Sequence, residues 1–206
     1  MKKEKEWAVI DFGARFQETY LKWASKNKAV AADEEKMDEL LPQMYEAWLA
    51  APKDFLEGQS PNAYFASMDD PQLYASALVA YVQEGLSLPD PLLNEILNHK
   101  DEIYPLFLDV LAEEHPEGKE VTADELSEIR GQIVSLITQM QLPHPFARYI
   151  ELLAQEQEEC NFCDEVLLAL EPDCAAFKED LLAALKTAEC YGRQCIYGLL
   201  SRIPLV

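Results

Sequence analysis

Phe12, Phe16, Tyr20 and Trp23 recur at steps of four, four and three residues. That spacing places them on one stripe and predicts a helix over about residues 6–26. A second helix is expected after Asp33, a side chain suited to an N-cap, with Met37, Leu40, Leu41, Met44, Tyr45 and Trp48 turned inward. Pro42 lies inside this pattern and lacks a backbone N–H, which predicts a break or kink near Leu41.

Shorter apolar runs follow, several opened by the same device. Ser60-Pro61, Asp70-Pro71 and Asp90-Pro91 each set a capping side chain before a proline at the first helical position. They lead into Tyr64 and Phe65, into Leu73, Ala77, Leu78, Tyr81 and Val82, and into Leu92, Leu93, Ile96 and Leu97. Ile103, Leu106, Phe107, Val110 and Leu111 make another stripe, in which Pro105 fits only within a first turn. Thr122 and Glu125 have the capping-box spacing and precede Leu126, Ile129, Ile133, Val134, Ile137 and Met140. His144-Pro145 opens a run through Phe146, Tyr149, Ile150 and Leu153. Val166, Leu167 and Leu170 form the next, then Phe177, Leu181, Leu182 and Leu185, and finally Ile196, Leu199, Leu200 and Ile203. Period-2 alternation is lacking. The pattern predicts an all-α fold of about ten short antiparallel helices, each too short to bury its stripe alone.

The order of several residues resembles a known pattern. Tyr45-Glu46-Ala47-Trp48-Leu49, Pro52, Gly58-Gln59-Ser60-Pro61 with Tyr64-Phe65, Asp70, Leu73, and Pro89 with Leu92-Leu93 and Ile96 are similar to an uncharacterised bacterial family of HEAT-like α-α superhelix proteins. The similarity covers about residues 7–115. It implies a right-handed α-solenoid and no assigned catalytic residues. The Asp-Val-Arg style signature of regular HEAT units is lacking, so the repeat boundaries stay open. On this reading residues 1–206 form a single helical-repeat domain. Residues 1–60 supply N-terminal helices and residues 61–206 HEAT-like pairs, with a polar connector near 113–121 as a candidate seam.

Composition narrows the function classes. The 206 residues are 49% hydrophobic, which sets the chain apart from disordered ones, and only 7 are glycine. The formal net charge is −21. It is uneven: residues 1–28 carry +3, from Lys2, Lys3, Lys5, Arg15, Lys22, Lys26 and Lys28 against four acids, and the rest carry −24. An acidic body repels phosphate backbones and anionic lipid, so no nucleic-acid and no membrane partner is expected. The basic start reads as a solvated helix face or as a docking arm. No apolar h-region follows Met1-Lys2-Lys3-Glu4-Lys5-Glu6, so a cytoplasmic location is expected.

Candidate chemistry is sparse. No glycine-rich phosphate loop is present, and Ser60 reads as a helix cap rather than a nucleophile. His99, His115 and His144 lie too far apart for a local pair, and Glu156 with Glu159 looks like a solvated carboxylate pair. All five cysteines, Cys160, Cys163, Cys174, Cys190 and Cys195, fall in the last quarter. Cys160-Asn161-Phe162-Cys163 is a CxxC whose helix-start position would favour a thiolate, while Glu158, Glu159 and Asp164 oppose it. Zinc, redox chemistry and burial as small core residues stay open for these thiols, with burial favoured. No catalytic, metal or cofactor residues are assigned.

Tyr45, Trp48, Tyr64 and Phe65 cluster in sequence. Core packing is the default for such a stripe, and a partner-anchoring face is the alternative. The sequence therefore points to a non-enzymatic protein-interaction scaffold with an acidic surface and a basic protein partner. The alternative is a small-molecule or metal site, possibly enzymatic, built between helices.

Overall fold

Apolar stripes become helices throughout the computed structural model, which describes residues 7–68, 70–113 and 121–204, and no strand occurs among them. The chain divides into two compact units, residues 1–99 and 100–206. Lys2, Lys3 and Lys5, and residues 114–120 of the polar connector, lie outside the described residues.

The first unit contains α1 (Phe12–Lys26), α2 (Lys28–Ala31), α3 (Glu34–Ala50), a 3-10 turn at Asp54–Leu56, α4 (Pro61–Ala66), α5 (Pro71–Gln83) and α6 (Asp90–Asn98). Helix α1 starts later than its stripe suggests. Asp11 accepts a hydrogen bond from the Ala14 N–H at 2.8 Å and so caps the helix there, leaving residues 7–11 non-helical. The Tyr64 hydroxyl accepts from the Ala8 N–H at 2.9 Å and donates to the Ala8 carbonyl at 3.2 Å. Two tyrosines therefore satisfy this segment's main chain, because Tyr81 treats Ile10 in the same way.

Asp33 caps α3 as expected, but Pro42 does not break it: the helix runs unbroken from Glu34 to Ala50. Proline removes one backbone donor and leaves the rest of the ladder intact, and the inward faces of Met37, Trp48 and Leu49 hold both halves in the core. Ser60 and Asp70 cap α4 and α5, accepting from Ala63 N–H at 3.2 Å and Gln72 N–H at 3.0 Å. Asp90 differs by one position: Pro89 is the N-cap and Asp90 is the first residue of α6. Gly85 (φ +65°) ends α5 in the left-handed region, where a side chain would be strained.

Phe12 sits at the centre of this unit, with ring centroids 5.5 Å from Phe65, 6.3 Å from Phe55 and 6.4 Å from both Trp48 and Tyr64. Phe12 and Phe65, both buried, each contribute roughly 1.5–3 kcal/mol by leaving water. Helix α4 packs on α3 and α6, and α5 on α6, which closes the core around Tyr74, Leu78 and Ile96.

The second unit contains α7 (Lys100–Ala112), α8 (Ala123–Gln139), α9 (Phe146–Leu153), α10 (Asn161–Leu170), a 3-10 segment at Glu171–Phe177, α11 (Lys178–Ala184) and α12 (Cys190–Arg202). Pro105 falls in the second turn of α7 rather than the first, and the helix continues through it. The capping box forms: Thr122 Oγ1 accepts from Glu125 N–H at 3.2 Å, and Thr122 N–H donates to the Glu125 carboxylate at 2.7 Å. Helix α8 is the spine of this unit, packed on α7 and most extensively on α10. Among the described residues no helix is long and apolar enough to cross a membrane.

Candidate functional site

The second unit brings three cysteines together, and small residues make that possible. On α8, Ser127 and Gly131 lie one turn apart and receive the start of α10. Phe162 N–H donates to Ser127 Oγ at 3.4 Å, and a Cβ on Gly131 would come within 2.5 Å of Asn161 Nδ2. Helix α12 enters from the other side. Its first donors go to main-chain carbonyls instead of a capping side chain: Glu189 N–H to Ala154 at 2.8 Å and Gly192 N–H to Glu156 at 2.9 Å. Gly192 lies so close to the Leu153 carbonyl and the Ala154 backbone that no Cβ fits there. Three residues beyond Gly192, Cys195 reaches Cys163.

The sulfurs of Cys160 and Cys163 are 3.2 Å apart. Cys160 is the N-cap of α10 and half-buried, whereas Cys163 and Cys195 are buried. The Cys163 thiol hydrogen-bonds to Cys160, and this contact, helped by Ser127, lowers the Cys160 thiol to about 6 against the opposing effect of burial. Cys163 is pushed far up, first by its hydrogen bonds to Cys160 and Cys195 and then by burial. The Cys163 contact also lowers Cys195, and Tyr191 adds to this. One thiol proton serves one acceptor at a time, so Cys163 steadies a thiolate at Cys160 or at Cys195, not at both.

Glu156 completes the cluster and corrects the reading of a solvated pair. Glu159 is exposed, but Glu156 is half-buried with its carboxyl against Cys160. Burial raises that carboxyl to about 7, with Cys160 adding to the rise and Arg130 opposing it. Cys190 is exposed and takes no part in the cluster, and Cys174 is buried in the 3-10 segment. Among the described residues no three His, Cys, Asp or Glu side chains are arranged to hold a metal ion.

Alongside the thiols, α10 and α12 border a shallow groove of about 490 Å³. Leu167, Leu168, Tyr191 and Leu199 supply its apolar lining, Asp164 and Glu171 its carboxylates, and Cys195 part of its wall. Leu168 is 68% exposed. Arg202 pairs with Glu171 at one end of the groove.

The aromatic candidates fall elsewhere. Phe65 is wholly buried, Trp48 and Tyr64 are buried, and Tyr45 is half-buried at the edge of the Phe12 cluster. Trp48 Nε1 donates to Thr19 Oγ1 at 3.2 Å, and Lys53 Nζ lies 4.5 Å from its ring centroid. Phe16 stacks edge-on against Tyr45 at 4.9 Å. Packing thus occupies Trp48, Tyr64 and Phe65, and of the four only Tyr45 keeps much surface. His99 stacks on Tyr74 and His144 on Phe146, and His115 lies outside the described residues. Burial lowers the His144 imidazole.

The CxxC was visible in the sequence, but Glu156, Ser127 and the pairing of Cys195 with Cys163 were not. The available signal was the run of small residues, Ser127 with Gly131 and Gly192 with Cys195, spaced for close helix contact. The chain matches no family model, no curated protein and no solved structure.

Proposed function

We propose that this chain is a non-enzymatic protein-interaction scaffold of HEAT-like helix pairs, and that its partner is a basic polypeptide segment rather than nucleic acid. The observation that carries this reading is the α10/α12 groove, where the strongly exposed Leu168 lies beside Asp164 and beside Glu171, which a basic partner would have to share with Arg202. An apolar anchor flanked by carboxylates suits an amphipathic segment with lysines or arginines along its rim. The net charge of −21 supports the same choice, because it draws cations in and turns anions away.

A lysine-rich amphipathic peptide, followed by fluorescence anisotropy, tests the proposal. Its affinity should fall at least about tenfold between roughly 50 and 300 mM salt as screening shortens the reach of the acidic field. Leu168→Ser should weaken binding further at either salt. Salt-independent capture of a neutral peptide would overturn the electrostatic part, and an unchanged affinity for Leu168→Ser would remove the groove.

The second reading, a small-molecule site between helices, has support of its own in the clustered thiols of the same unit.

A further inference from the structure

We propose that Cys160 and Cys163 are a working dithiol, which exchanges with small-molecule disulfides and closes reversibly into a Cys160–Cys163 disulfide. This rests on the thiol geometry and is independent of the partner reading.

Position divides the labour between the two sulfurs. Cys160 stands at the N-cap of a ten-residue helix and is the one of the three clustered thiols with appreciable surface. Cys163 lies behind it, fully enclosed, with its sulfur already 3.2 Å away. A disulfide needs about 2.05 Å, so closure takes small side-chain rotations rather than movement of a helix. Only a residue at the helix mouth can be reached from outside, and only its buried neighbour can displace what has been attached. The lowered Cys160 thiol and the raised Cys163 thiol agree with these roles, since the thiolate is the attacking form. Glu156 also faces Cys160, and Arg130 on α8 acts on that carboxyl.

The exchange balances without another reagent. The Cys160 thiolate attacks one sulfur of a disulfide R–S–S–R, the S–S bond breaks, and one RS⁻ leaves a mixed disulfide on Cys160. Cys163 then attacks the Cys160 sulfur and expels the second RS⁻, which the proton of Cys163 neutralises. The two protein sulfurs lose two electrons to the small disulfide, which departs as one thiolate and one thiol; the thiolate regains from solvent the proton that Cys160 gave up. The reverse sequence reopens the pair. Cys195 touches Cys163 from α12 and is not consumed in the exchange.

Glutathione disulfide and the full chain provide the test. After alkylation of remaining thiols, the tryptic fragment spanning 149–178 holds Cys160, Cys163 and Cys174. It should show a Cys160–Cys163 disulfide with Cys174 alkylated. Cys163→Ala should instead accumulate glutathione on Cys160. Cys160→Ser, at a site that is not fully buried and with helicity checked by circular dichroism, should slow oxidation of Cys163 at least about tenfold. In the reduced protein, iodoacetamide should modify Cys160 roughly tenfold faster than the exposed Cys190. The proposal fails if Cys163 pairs with Cys195 instead, if Cys160→Ser oxidises as fast as the parent, or if both thiols stay free in excess glutathione disulfide.

Discussion

The Tyr81 hydroxyl serves both backbone groups of Ile10, donating to its carbonyl at 2.9 Å and accepting from its N–H at 3.3 Å. With Tyr64 on Ala8, it does for residues 8–10 what a neighbouring strand would do in a sheet. Burial raises the Tyr81 phenol well above its ordinary range, so it remains a donor at any physiological pH.

Tyr81→Phe should therefore cost about 1–3 kcal/mol, because it removes two hydrogen bonds and strands a partly buried main chain. Urea unfolding measures this. Limited proteolysis should also show earlier cleavage ahead of α1. A variant as stable as the parent would mean that water replaces the hydroxyl at no cost.

Two glycines of α12 should respond in opposite directions. Gly192→Ala drives a methyl into the Leu153 carbonyl and the Ala154 backbone, and should destabilise by roughly 2–3 kcal/mol, since rigid main chain must yield. Gly198 has nothing within 4 Å of a built Cβ, so Gly198→Ala should stabilise by about 0.5–1 kcal/mol through helix propensity. Thermal or chemical unfolding of both variants checks the contrast.

Glu156 makes stability depend on pH with a definite sign. Its folded value of about 7 lies above the ordinary glutamate value of 4.5. Between these values the folded state keeps a proton that the unfolded chain releases, so the residue's contribution falls as pH rises. Below the window both states are protonated, and above it the penalty is complete. Glu156→Gln should therefore gain stability relative to the parent as pH climbs through that range, and the gain should level off near pH 8. Unfolding midpoints measured for both proteins between about pH 4 and 8 test this, and a constant difference would count against the burial of the carboxyl.

Much of the secondary structure was legible because its determinants are local. Ser60, Asp70 and Thr122 announce helix starts within four residues of themselves, and the Phe12, Phe16, Tyr20 and Trp23 stripe marks an inward face. The errors also have local causes. Spacing extends α1 too far because the Asp11 N-cap competes with the apolar pattern. Pro42 and Pro105 lie inside continuous helices, because tertiary packing tolerates one missing hydrogen bond. The candidate site was less legible, since its geometry depends on contacts across helices. Cys160 and Cys163 are neighbours in sequence and Glu156 lies four residues before Cys160, but Cys195 joins them only through the seating of α12. Core packing was the default expectation for the aromatic stripe, and Trp48, Tyr64 and Phe65 are buried, with the Phe12 ring of α1 against all three.

Glu156 has two attachments that meet in one residue. Its carbonyl fastens the first turn of α12 through Gly192, and its carboxyl faces Cys160. Any event that alters the charge on that sulfur thus acts on the peg from which the final helix hangs, so chemistry at one atom and the seating of the last thirteen-residue helix share a common mechanical joint.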